Sequence, residues 1–232
     1  MKKFFQEPLP GVAPASLRGK LIVIEGPDCS GRTTQIELVS KWLELKGYAV
    51  VQTGLKRSLL VAEELEAALQ GNVLSPRTLS LFYATDFYDQ LENTIIPALR
   101  AGLVVIADRY VYTLMARAII RGAEPSWVEA IYRMAVVPDL VLSLQVSPKV
   151  LVERTFQAHY QLDYWESGMD MGLSRDWFTS FLKYQRKLRL ELKKMEERYG
   201  FEVINAGRSA RSVDRDLKAK IATILDGFSD SE

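Results

Sequence analysis

The chain has 232 residues, 48% hydrophobic and 25% charged, with a formal net charge of +1. This balance suits an ordinary globular domain with one substantial core and excludes the basic stripe of a nucleic-acid binder. Its one cysteine, Cys29, excludes an internal disulfide and points to a reducing cytoplasm, and no segment approaches the roughly 18 uninterrupted apolar residues that a membrane partner would require.

The opening residues MKKFF briefly imitate a signal peptide, but Gln6, Glu7, Pro8 and Pro10 end the apolar stretch before a signal core forms. Residues 1–18 are therefore expected to be an irregular, uncleaved arm, followed by a single domain over 19–228. Within it lie five short apolar, β-branched runs: KLIVIEG from Lys20, YAVVQTG from Tyr48, LVVIADR from Leu103, DLVLSLQV from Asp139 and FEVINAG from Phe201. Each is followed by a helical pattern. Strands that read as continuous apolar runs are buried on both faces, and their alternation with helices predicts an α/β fold: a doubly wound parallel five-stranded sheet flanked by helices.

Between the strands, Ile36, Val39 and Leu43 fall on one face of the first helix, and Gly47 lies just past its end. Ser75-Pro76 and Ser147-Pro148 have the form of an N-cap followed by a first helical residue. Residues 158–172, AHYQLDYWESGMDMG, hold glycines and acids without clean periodicity and read as a mobile lid. Its one histidine, His159, reads as a surface residue. A long helix from Ser174 to Tyr199 follows, with the charges of KYQRKLRLELKK as its solvated face.

Gly26-Pro27-Asp28-Cys29-Ser30-Gly31-Arg32-Thr33, continued by Thr34, matches the phosphate-loop pattern G-x-x-x-x-G-K-[ST] except that arginine replaces lysine. It stands between a predicted strand and a predicted helix, the context that gives the pattern its meaning. The glycines let backbone N–H groups approach phosphate oxygens, the helix adds its positive dipole end, and Thr33 offers a hydroxyl to Mg²⁺. Arg32 keeps a permanent charge and adds a planar fork that can bind two oxygens, although it is bulkier than lysine. Cys29, at the mouth of the helix, reads as a small residue filling the loop; the alternative is a thiol activated by its position.

With EGPDCSGRTTQ, SLFYATDF, IIPALRAGLVVIADRY and VPDLVLSLQVSP in one order, the chain resembles the thymidylate kinase family of nucleoside monophosphate kinases from about Lys20 to Ile224. The resemblance implies a P-loop NTPase fold with a lid, ATP with Mg²⁺, and a homodimer. The helix near Leu79 to Leu91 and the one after Tyr110 are the candidate pairing faces. It implies that Asp108 organises Mg²⁺ and the reacting phosphates and that Arg109 grips the acceptor phosphate, with Arg57 as a second clamp. Glu166, beside Asp163, is implied as a metal or phosphate-side ligand. Asp28 is implied near the acceptor sugar and metal, and Arg154 with Ala206 and Gly207 on the adenine side.

The chain also departs from the family. Tyr83 is placed to stack on the base, but Phe87 stands where the family has a base-reading arginine, and Ala116-Arg117-Ala118 lacks the family's polar base contact. Residues 158–170 contain no arginine or lysine, which leaves Arg32, Arg154, Arg175 or, less suitably, His159 for the transition-state charge. Arg32 is expected to combine the roles of loop lysine and transition-state arginine. The activity implied is ATP-dependent phosphorylation of a nucleoside monophosphate, dTMP foremost. A P-loop kinase for another small acceptor and a nucleotide-binding module without turnover stay open as alternatives.

Overall fold

In the computed structural model, which describes residues 3–71, 74–158, 162–226 and 228, each of the five apolar runs forms a strand. These are β1 (Lys20–Glu25), β2 (Val50–Gly54), β3 (Val104–Asp108), β4 (Leu140–Gln145) and β5 (Glu202–Asn205). All neighbours pair in parallel, in the order β2-β3-β1-β4-β5. The helices that wrap the sheet are α1 (Arg32–Leu45), α2 (Ala62–Gln70), α3 (Pro76–Gln90), α4 (Ile96–Arg100), α5 (Val111–Ile120), α6 (Pro125–Ile131), α7 (Pro148–Ala158), α8 (Trp177–Tyr199) and α9 (Ala210–Leu225). This is the α/β architecture expected, and none of the helices among the described residues is long and apolar enough to cross a membrane.

The period-2 alternation of the central strands divides the core between the two faces of the sheet. Leu21 and Val23 of β1 join Val105 and Ala107 in one cluster with residues of α3 and α5, while Ile22 and Ile24 join Val104 and Ile106 in another with Ile36, Val39 and Leu43 of α1. Burying each of these aliphatic side chains stabilises the fold by roughly 1.5–3 kcal/mol, so both faces of β1 are strongly specified.

Local signals set most boundaries. Ser75 Oγ accepts from Thr78 N at 3.2 Å, with Pro76 at the first helical position, and Ser147 Oγ accepts from Val150 N at 3.4 Å. The long helix α8 begins at Trp177 rather than Ser174, because Asp176 takes an extended backbone conformation and its carboxylate accepts from Thr179 N at 2.8 Å. Serine and aspartate are comparable caps, so the extended backbone at Asp176 is what sets the start.

The N-terminal arm is irregular but docked. Phe4 forms an isolated bridge with Val136, Phe5 N donates to Ala135 O at 3.0 Å, and the Phe5 ring lies 5.7 Å from that of Tyr112 and 5.5 Å from that of Tyr199. In the segment expected to be a lid, His159 lies outside the described residues, whereas 162–172 is tied to the body of the protein. Trp165 is buried and its Nε1 donates to Leu69 O at 2.9 Å; Arg121 pairs with Asp170 at 2.8 Å and donates to Trp165 O. The helix after Tyr110, expected to offer a pairing face, is instead buried within the chain: Val111, Tyr112, Thr113, Leu114, Met115, Ala116 and Ala118 are covered.

One buried acid positions the two strand ends that matter most. Glu25, the last residue of β1, accepts from Tyr110 N at 3.0 Å, Thr113 N at 3.4 Å and Thr113 Oγ1 at 2.5 Å. It therefore caps the N-terminus of α5 from a neighbouring strand, satisfying N–H groups that helix geometry leaves open. Burial raises its pKa, opposed by these hydrogen bonds and by Arg109. Replacing Glu25 with Ala strands several buried donors and is expected to cost on the order of 3 kcal/mol. Urea denaturation checks this, and a variant as stable as the parent would show that Glu25 does not hold the turn.

Candidate active site

The carboxyl ends of β1 and β3, neighbours in the sheet with Ile24 level with Asp108, carry the two motifs singled out in the sequence. Ligands of open parallel sheets bind at this end. Gly26 has φ +153 and a Cβ there would come within 2.9 Å of Leu144 O; Gly31, with φ +94, turns the chain into α1. Thr33 and Thr34 are exposed on the first turn of that helix. Beside the loop opens a cavity of about 700 Å³ lined by Asp28, Arg57, Tyr83, Asp108, Arg109, Arg117 and Glu166, among others. Among the described residues, three non-glycine residues have positive φ: Cys29 (58°), Lys56 (59°) and Arg109 (67°). All three line this cavity, and such conformations are costly enough to concentrate where a site requires them.

Arg32 does not extend into open space. Its Nη1 donates to Gly26 O at 2.6 Å and Pro27 O at 2.5 Å, its Nε donates to Asp108 Oδ1 at 2.7 Å, and its Nη2 lies 3.6 Å from Asp28. The planar fork thus ties the loop to the end of β3, a multi-point contact that a lysine cannot make. Burial disfavours its charge, but Asp28 and Asp108 outweigh burial and raise its pKa.

Asp28 is the common partner of the other arginines. Its carboxylate lies 2.5 Å from Arg109 Nη2 and 3.5 Å from Arg117 Nη2, and Arg117 also reaches Glu166 at 3.3 Å. Burial works against the Asp28 charge, yet Arg109, Arg117 and Arg32 together hold it well below the usual carboxylate range. Glu166 goes the other way, raised by burial and by the nearby Asp28 charge. Arg57 completes the group, donating to Thr53 O at 3.3 Å and lying 3.9 Å from Asp108. Four arginines and Lys56 thus share the cavity wall with five acids, Asp28, Glu66, Asp108, Asp163 and Glu166, and the guanidinium forks suit a phosphorylated ligand.

The remaining expectations divide. Arg154 donates to Ser30 O at 3.2 Å and to Ala206 O at 3.1 Å, which draws the loop, Arg154 and the turn at Ala206 and Gly207 together. Tyr83 lines the cavity. Phe87 does not: it is 4% exposed and packs edge-on against Tyr88, Tyr110 and Tyr132, so it belongs to the core and not to an acceptor-binding wall. Burial raises the Cys29 thiol pKa despite the position at the helix mouth, which weighs against an activated thiol.

Three contributors escaped the sequence reading. Arg117 pairs with Asp28 and Glu166 in the cavity wall, a role not expected of it, and the signal was a lone charge in the apolar run VYTLMARAII. Glu25 had a comparable signal, an acid closing the apolar run KLIVIE. Asp86, fully buried in α3, accepts from Lys56 N at 2.8 Å and Ser58 N at 2.9 Å and so fixes the turn that carries Arg57.

The family model described as Thymidylate kinase matches residues 24–217. A probable thymidylate kinase 2 of Saccharolobus solfataricus is 34% identical over 212 residues, 90% of this chain and 99% of that protein. A probable thymidylate kinase of Thermococcus gammatolerans is 31% identical over 209 residues, with 86% and 94% covered. A thymidylate kinase of Shouchella clausii is 32% identical over 215 residues, with 90% and 97% covered. With the phosphate loop and the Asp108-Arg109 turn both inside the matched span, the chain belongs to the thymidylate kinase family.

Proposed function

We propose that the protein transfers the γ-phosphoryl group of ATP onto the phosphate of dTMP, giving dTDP and ADP. The observation that carries this reading is the junction of the phosphate loop with Asp108 and Arg109 at the mouth of one cavity, with Tyr83 on its wall. ATP phosphates are placed against the backbone of Gly26 to Thr34 and the start of α1, and adenine beside Arg154, Ala206 and Gly207. Arg109 and Arg57 bind the acceptor phosphate, whose oxygens are already ionised near neutral pH, so no strong general base is needed. Positioning and charge neutralisation do the work.

The divalent ion of this reading is Mg²⁺. Among the described residues no group of three or more His, Cys, Asp or Glu could hold a metal alone. That suits Mg²⁺, which takes most of its ligands from phosphates and water and few from protein. The Thr33 hydroxyl, exposed at the first turn of α1, and Asp108 are the residues that would hold it. Bound there, Mg²⁺ neutralises charge on the transferring phosphates. Glu166, paired with Arg117, is assigned to the acceptor side with Asp28.

Two wider properties belong to the same reading. A homodimer through the exposed face of α3, where Leu81 is 48% exposed, is supported by the family resemblance; light scattering on the purified protein tests it, and a monomeric mass would count against it. A cytoplasmic location is supported by the single cysteine.

Offered ATP, Mg²⁺ and each of dTMP, dUMP, dCMP, UMP, CMP, AMP and GMP, the protein is expected to consume dTMP fastest. Binding of ATP without turnover of any monophosphate would sink the proposal. Arg32→Lys is expected to lower kcat by about 10²-fold, since lysine cannot join Gly26, Pro27 and Asp108 at once; unchanged kcat would show that the fork has no role in the reaction.

The Asp28 pKa is lower in the folded than in the unfolded chain, so its contribution to stability is present above the unfolded value of about 3.9 and is lost as pH falls toward the folded value. The parent is therefore expected to exceed Asp28→Asn in stability at neutral pH and to lose that margin in acid. Urea melts across the range check this, and a margin independent of pH would contradict it.

A further inference from the structure

A second cavity, of about 560 Å³, borders the phosphate loop from the direction of α7, α8 and the end of β4. Gly26 and Pro27 line it from the loop, Val146 from the end of the strand and Leu151 from α7. On α8, Phe181 and Leu188 are covered, and beside them Leu182, Arg186, Arg189 and Lys193 form an exposed stripe along the cavity. The spacing of that stripe, four, three and four residues, keeps it on one helix face. The cavity is thus apolar within and basic along one edge.

Charge and size narrow what fits there. Among the described residues the wall holds one acid, Glu196, and its carboxylate is already taken, accepting from Ser143 Oγ at 2.6 Å and from Gln145 Nε2 at 3.0 Å. Neither the Arg186 nor the Arg189 side chain forms an ion pair among the described residues. Two guanidinium forks without a counter-charge, at the edge of an apolar cavity, are complementary to a molecule with an anionic head and an apolar body. A volume of about 560 Å³ is that of a small-molecule site and not of the broad face of a protein partner. A nucleotide does not fit, because its base and sugar would leave polar edges unpaired against Val146, Leu151 and Phe181.

We propose that this cavity is a second ligand site, which takes a small free carboxylate bearing one unbranched apolar chain and couples it to the phosphate loop. Arg186 and Arg189 hold the carboxylate, and the chain lies against Val146, Leu151 and Phe181. Two contacts make the coupling. Phe181 lines both cavities, and Gly26 and Pro27 line this one while their carbonyls accept from Arg32 Nη1. A chain in the cavity therefore restrains the residues that hold Arg32, and by reciprocity a loop ordered around phosphate favours the chain.

The test titrates decanoate into the full chain by calorimetry, beside butyrate and 1-decanol. Decanoate is expected to bind, with butyrate weaker by about 10-fold or more because it buries fewer methylenes, and decanol weaker by about 10-fold because it makes no charge-assisted contact. The double variant Arg186→Gln, Arg189→Gln removes the head contact, and Leu182→Glu sets a carboxylate at the mouth. Each should weaken decanoate about 10-fold at an unchanged Tm, since all three positions are exposed. A saturating non-hydrolysable ATP analogue should tighten decanoate about 5-fold. Decanoate that does not bind, or that binds the variants as well as the parent, would overturn the site, and binding indifferent to the analogue would overturn its coupling to the loop. Co-sedimentation with anionic vesicles, lost in the same variants and without binding of free decanoate, would overturn it in favour of a membrane surface. None of these readouts needs turnover, so the proposed phosphorylation stands or falls separately.

Discussion

A single carboxylate, Asp28, holds three guanidinium groups at close quarters, and the rest of the site depends on it. Two like charges about 5 Å apart repel by roughly 3 kcal/mol at an effective dielectric near 20. Arg32, Arg109 and Arg117 would therefore spread apart without a shared counter-charge. Arg109 feels this most directly: burial and the neighbouring Arg32 lower its pKa, and Asp28 opposes the shift without cancelling it. Asp108 and Glu166 share the task, pairing with Arg32 and Arg117, so the guanidinium groups are already assembled when a phosphate arrives.

The scaffold around this centre works by linking separate strand ends. Arg32 joins the loop after β1 to the last residue of β3, Glu25 joins β1 to the turn that follows β3, and Arg154 joins the loop to the turn after β5. Asp86 does the same for the turn after β2. Each link runs through a charged group and backbone donors or acceptors, which fixes direction as well as distance. The strained backbone at Cys29, Lys56 and Arg109 is held by these links.

Most of the fold was legible because its signals are local. Five apolar runs announced buried parallel strands, and Gly26 to Thr33 announced the turn between β1 and α1. Asp108 and Arg109 were legible because they directly follow a strand. What escaped depends on which way a helix face turns after folding. Tyr83 and Phe87 are four residues apart, a rotation of about 40° beyond one full turn. That offset lets Tyr83 line the cavity while Phe87 packs among Tyr88, Tyr110 and Tyr132. Arg117 was passed over because a motif position was judged by what it lacked, although a charge inside an apolar helix is itself a signal. The start of α8 was misplaced because Ser174 and Asp176 are both capping types, and only the backbone at Asp176 decides between them.

The docking of the N-terminal arm bears on how the chain is made. Phe5 packs on Tyr199, and β1 lies between β3 and β4, so these segments pair only with partners made later in the chain. The central strand of the sheet must wait for about 80 further residues to be synthesised before its first neighbour exists, a delay set by contacts distant in sequence. Its apolar residues, from Leu21 to Ile24, are unpaired through that interval, when exposed strands invite aggregation.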